Sequence, residues 1–175
     1  AGSLGNVLNV SDALTSVGGD VLRFFMLSTH YRSPIDLGDW EPKPGSVPSG
    51  LESAKSALRA FYQFFERYEE STGASFYTLD ALNAREFRER GELGREFLRL
   101  LDDDFNTGGA VGVMFQALNE AKAVTGAGLT DSARQLRTMA NILGLFWAPP
   151  VKKELGGGNE LVSGLMALLL DLRNN

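Results

Sequence analysis

Seven apolar residues recur at helical spacing between positions 51 and 68: Leu51, Ala54, Ala57, Leu58, Phe61, Phe65 and Tyr68, with Glu52, Lys55, Arg59 and Glu66 outside the stripe. Intervals of three, four and seven place side chains on one face of a helix, whereas a strand would scatter them over both faces. Ser49 and Glu52 read as a reciprocal capping box at the start of this helix, which should run to about Glu70 and end at Gly73. A chain containing such an element must find other apolar surfaces to cover it.

The rest of the sequence supplies them in the same form. Ser11 can cap a short helix from Asp12, Gly18-Gly19 stops it, and Asp20 can cap the next. From Val21 to Ser28 only Arg23 interrupts an apolar run. Periodicity leaves helix and buried strand both open there, and the Leu, Met and Phe content with few β-branched residues favours helix. Four prolines and three glycines between 33 and 50 predict a surface excursion, ordered by Ile35, Leu37 and Trp40. Residues 79 to 103 are helical in pattern, with breaks expected near Gly91 and Gly94 and a packing face of Phe87, Phe97, Leu98 and Leu101. Asn106 or Thr107 can cap a helix carrying Val111, Phe115 and Leu118 inward, closed by Gly126 and Gly128. Thr130 or Asp131 then opens another with Leu136, Met139, Ala140 and Leu143 as its seam, ended by Gly144. Past Pro149-Pro150 and Gly156-Gly157-Gly158, Glu160 to Arg173 reads as a last apolar helix. The expected fold is all-α, an antiparallel bundle of about five substantial helices. Its units are residues 1–19 (a leading segment with a short connecting helix), 20–147 (the bundle) and 148–175 (a joint and terminal helix).

Composition narrows the chemistry. At 175 residues the chain can bury a core without staples, and it has no cysteine, which removes disulfides, thiolate zinc sites and a cysteine nucleophile. One histidine, His30, rules out a multi-histidine metal site. A net charge of −5 gives no general attraction to nucleic acid, although a local patch can still bind it. No run approaches the roughly 18 apolar residues of a membrane span, and the first residues lack the form of a signal peptide.

Four groups of residues merit weighing. His30, with Tyr31, Arg32 and Ser33, follows the apolar run; it either closes that helix, where a cation is favoured, or touches a ligand or RNA. Asp102, Asp103 and Asp104 are too divergent on a helix, about 100° apart, to chelate one metal together, so pairing with an arginine or with the free N–H groups of the next helix is the favoured reading. Arg85, Arg88, Arg95 and Arg99 would share a face able to meet phosphates if one helix continued through the glycines, but Glu86, Glu89, Glu92 and Glu96 are placed to neutralise it. Gly108-Gly109-Ala110-Val111-Gly112 lacks the preceding strand and the lysine of a phosphate loop.

In order along the chain, these stretches resemble the cysteinyl-tRNA synthetase family. Ser3-Leu4-Gly5-Asn6 resembles the end of that family's KMSKSLGN signature. Residues 20–36, from Asp20-Val21-Leu22-Arg23 through His30-Tyr31-Arg32-Ser33-Pro34, are similar to its VRYFLLSxHYRSPLD stretch, and Asp102-Asp103-Asp104-Phe105-Asn106-Thr107 to its DDDFNT. Asn141 to Leu145 resembles its LGLL helix end. Gly108-Gly109 stand where the family has Pro-Glu, which should weaken that helix start. The resemblance implies the helical DALR-type domain that follows the catalytic domain, a piece with no catalytic residue, metal or cofactor of its own. Zinc and ATP would belong to a catalytic domain outside the chain, with Ser3, Leu4, Gly5 and Asn6 as the remnant of its ATP loop. It further implies tRNA(Cys) and that catalytic domain as partners, a cytoplasmic setting and a monomer. His30, Tyr31, Arg32, Arg88, Arg95 and Arg99 would be the candidates for touching tRNA or bracing the loop, while Asp20, Asp102, Asp103, Asp104, Asn106 and Thr107 would be structural. The competing readings are a protein-interaction bundle, or the equivalent domain of another class I synthetase.

Overall fold

The structure, a computed structural model, describes residues 8–41, 43 and 46–150. They form seven α-helices and no strand: α1 (Val10–Val17), α2 (Gly19–Leu27), α3 (Ser49–Thr72), α4 (Ala84–Glu89), α5 (Glu92–Asp102), α6 (Thr107–Ala123) and α7 (Ala127–Leu143), with one 3-10 turn at Phe76–Thr78. Ser3 to Asn6, expected as a loop remnant, and the expected terminal helix over 160–173 lie outside the described residues.

The stripe on α3 is the axis of the core. Leu51, Leu58, Phe61, Phe64, Phe65 and Tyr68 are all but inaccessible to solvent, and α2, α6 and α7 pack around them. Phe65 lies parallel to Phe76 at 3.7 Å and meets Tyr62, Phe64, Tyr77 and Phe146 edge-on. Such edge and offset arrangements add to the stabilisation from area burial alone.

Several helix ends differ from those expected. The capping box at α3 does not form: Pro48 is the N-cap and makes no side-chain bond. The excursion before it folds back, and the Ser49 and Gly50 N–H groups donate to the carbonyls of Asp39 and Leu37, at 3.1 and 3.0 Å. Asp20 is not an N-cap either. Gly18 occupies that position, and Asp20 sits in the first turn of α2 with its carboxylate turned to the core. Of the two breaks expected near Gly91 and Gly94, only extended Gly91 separates α4 from α5. Gly94 is buried inside α5, where an added Cβ would lie 2.3 Å from the Phe87 carbonyl oxygen, so its lack of side chain lets α4 and α5 meet. The helix α6 ends earlier than expected, at Ala123, and α7 starts earlier, at Ala127 after Gly126, so Gly128 is helical. Asn106 caps α6, accepting from the Gly109 N–H at 2.9 Å.

Candidate functional site

The short helix α2 brings together the stretches that carried the resemblance. At its N-terminal end, the Asp20 carboxylate accepts from the Tyr62 hydroxyl and the Phe146 N–H, each at 3.3 Å. Arg23 donates through Nη1 to the Gly144 carbonyl. From the other side, buried Arg137 donates to the Phe146 carbonyl at 2.8 Å. Gly144 and Phe146 both have positive φ, 69° and 57°. The residues following α7 are therefore held in a tight turn by two side chains of α2 and one of α7. Burial pushes the Asp20 carboxyl above its ordinary pKa, against the opposing pull of Phe146, Tyr62 and Arg23, and lowers that of Arg137.

At its C-terminal end the chain turns through His30, Tyr31 and Arg32, which converge on Asp104, 73 positions away from Tyr31. Tyr31 donates its hydroxyl to Asp104 Oδ1 at 2.7 Å, and Arg32 donates Nη2 to the same oxygen at 3.1 Å and Nε to the tyrosine oxygen at 2.8 Å. The Arg32 guanidinium lies 5.3 Å from the Tyr31 ring centre. His30 stacks on Tyr31 at 4.9 Å, accepts the Arg32 N–H on Nδ1, and brings Nε2 to 3.9 Å from Asp104 Oδ2. The bond to Asp104 holds the tyrosine hydroxyl above its usual pKa. Alongside, α6 begins so close to α2 that a Cβ at Gly108 would come within 3.2 Å of the Ser28 carbonyl oxygen.

Asp104 reaches this cluster because the turn between α5 and α6 is left-handed. Asp104 and Phe105 each have φ of 52°, and Asn106 N donates to Leu100 O at 3.0 Å. Asp102 and Asp103 point to solvent instead, so of the three carboxylates only Asp104 joins an arginine, as paired charge rather than metal ligand. Phe105, passed over in the sequence as part of a turn, is 70% exposed beside the cluster.

The arginines farther along do not share a face, since Gly91 interrupts the helix. Arg85 pairs with Glu89, Arg99 binds Glu96 through two 2.7 Å bonds, and Arg90 pairs with Asp131. Arg88 and Arg95 have no ion-pair partner among the described residues. Among those residues no three His, Cys, Asp or Glu side chains are placed to hold a metal ion. His30 has an aspartate and no further imidazole or thiolate near it, a donor set that does not fit zinc. No described helix is long and apolar enough to cross a membrane.

The fold is all-helical and of the DALR type, and residues 96–147 match the model of the DALR domain. Over nearly all of its length the chain is also similar to cysteine–tRNA ligases. It is 33% identical to that of Pelotomaculum thermopropionicum over 98% of the chain and 37% of the relative. With the ligase of Desulfitobacterium hafniense the identity is 32%, over 98% of the chain and 35% of the relative. With that of Dichelobacter nodosus it is 35%, over 82% and 26%. The chain thus aligns with cysteine–tRNA ligases along nearly all of its own length and spans about a third of the length of the first two of these relatives.

Proposed function

We propose that this domain is the tRNA-positioning helical part of a cytoplasmic cysteine–tRNA ligase, in which ATP and zinc are handled by a catalytic domain outside this chain. Similarity to cysteine–tRNA ligases across 98% of the chain carries the reading. The geometry supports it in one respect above all: His30, Tyr31 and Arg32 form a single exposed cluster with Asp104 of the DDDFN stretch. A rigid support with a polar, aromatic-bearing corner suits the task of holding a folded RNA at a set distance from a reaction centre. His30, Tyr31 and Arg32 are the proposed contact residues, with Arg88 and Arg95 as further cations free to meet phosphate. Asp104 fixes the first three. Asp20, Asn106 and Thr107 serve the frame.

Titration of the 175-residue chain with an unmodified tRNA(Cys) transcript of one of the matched bacteria tests this. Affinity should fall as salt rises, because each phosphate contact releases counterions. Arg95→Ala should weaken binding and flatten that slope by about one contact. Binding that is absent, or indifferent to salt, would remove the RNA reading. Incubated with ATP and cysteine, the same chain should form no adenylate, measured as pyrophosphate exchange.

A further inference from the structure

Phe105 combines three properties that packing does not explain. Its ring is 70% exposed and pairs with no other ring among the described residues, although the chain buries eight large aromatic side chains almost completely. Its backbone sits at φ 52° directly after another non-glycine residue at the same angle. Two consecutive left-handed residues cost about 1–2 kcal/mol each, and conformations of that kind persist where surrounding structure enforces them. Here Phe105 N donates to Leu101 O at 3.2 Å and Thr107 N to Phe105 O at 2.6 Å. The same turn drives Asp104 into the Tyr31–Arg32 pair and leaves the phenyl ring outside.

We infer that Phe105, next in the chain to the Asp104 that binds Tyr31 and Arg32, is a stacking platform for a single unpaired nucleobase; this rests on the RNA reading above. RNA recognition places splayed bases against Phe, Tyr and His rings and guanidinium planes, and all four groups occur at this corner. The face of Tyr31 is engaged by His30, whereas that of Phe105 is open. Exposed Asp102 and Asp103 lie three and two positions before Phe105 and would repel a phosphate, so the neutral face of a base, not the backbone, is the part that fits.

The test is the tRNA(Cys) titration repeated with Phe105→Ala, Phe105→Leu and Phe105→Trp. Stacking on one aromatic side chain accounts for roughly tenfold to a hundredfold in affinity. Phe105→Ala and Phe105→Leu should both lose about that much, with the salt slope unchanged because no phosphate contact is removed. Phe105→Trp should retain binding, and its added indole emission should be quenched by tRNA. Unchanged affinity in Phe105→Ala, or full retention in Phe105→Leu, would overturn the stacking while wild-type salt-dependent binding left the RNA reading intact. Loss of wild-type binding would instead remove both. An exposed ring contributes little to folding, and equal urea midpoints for wild type and Phe105→Leu would show that a changed affinity is local.

Discussion

Phe105 and Asp20 show how single residues carry strain for position. Replacing Phe105 with glycine relieves a positive φ at a site with no packing to lose. Phe105→Gly should therefore raise stability by about 0.5–1 kcal/mol, the relief being partly offset by the greater freedom of glycine in the unfolded chain. The urea midpoint should rise at unchanged slope. A fall would mean that the ring supports the turn. Asp20 carries the opposite sign of argument. Its carboxyl is shifted upward in the fold, so its contribution to stability is fully present below the unfolded-state value and is lost as pH rises through the folded one. Asp20→Asn keeps an acceptor near Tyr62 and Phe146 but has no charge to bury. Urea unfolding of both proteins from pH 3 to 7 should show the variant gaining on the wild type toward neutral pH. The reverse trend would mean that the hydrogen bonds to the ionised form outweigh its burial.

At the level of elements, two helical glycines make opposite predictions from the same chemistry. Gly94→Ala would drive a methyl group into the Phe87 carbonyl, and backbone cannot yield as a side-chain tip can. Separation of α4 from α5 should cost about 2–3 kcal/mol, seen as a lowered melting temperature. Gly112 lies in α6 with open space around it, and Gly112→Ala should add up to about 1 kcal/mol. In sequence these two were glycines of helix-patterned stretches, and Gly94 read as a break. Local pattern announces that a helix tolerates a glycine, not what lies against it. Helix starts tell the same story: Asn106 was visible as a cap because its partner is three residues away, whereas Ser49 lost its capping role to carbonyls of a loop folded back from Asp39 and Leu37.

On the scale of the whole domain, stability concentrates where α3 meets Phe76 and Phe146. Phe65→Ala removes a ring that touches Phe61, Tyr62, Phe64, Phe76, Tyr77 and Phe146 and should cost about 3–5 kcal/mol, readable as a large fall in urea midpoint. The α3 stripe itself, including Phe61 and Phe65, was legible from its spacing, and so was the all-helical class. Phe146 was not, because it follows the glycine that ends α7 and no periodicity reaches it.

By itself the sequence determined the all-helical class and the buried stripes of α3, α6 and α7, since apolar period acts within a few residues, although not every helix end. It also carried the resemblance to cysteine–tRNA ligases, since the motifs keep their order. Tertiary structure alone decided that Tyr31 meets Asp104 across 73 positions and that Asp20 meets Phe146 across 126. Those partners are set by how α2 lies among α3, α6 and α7, and an orientation between helices is a property of packed surfaces that no local spacing records.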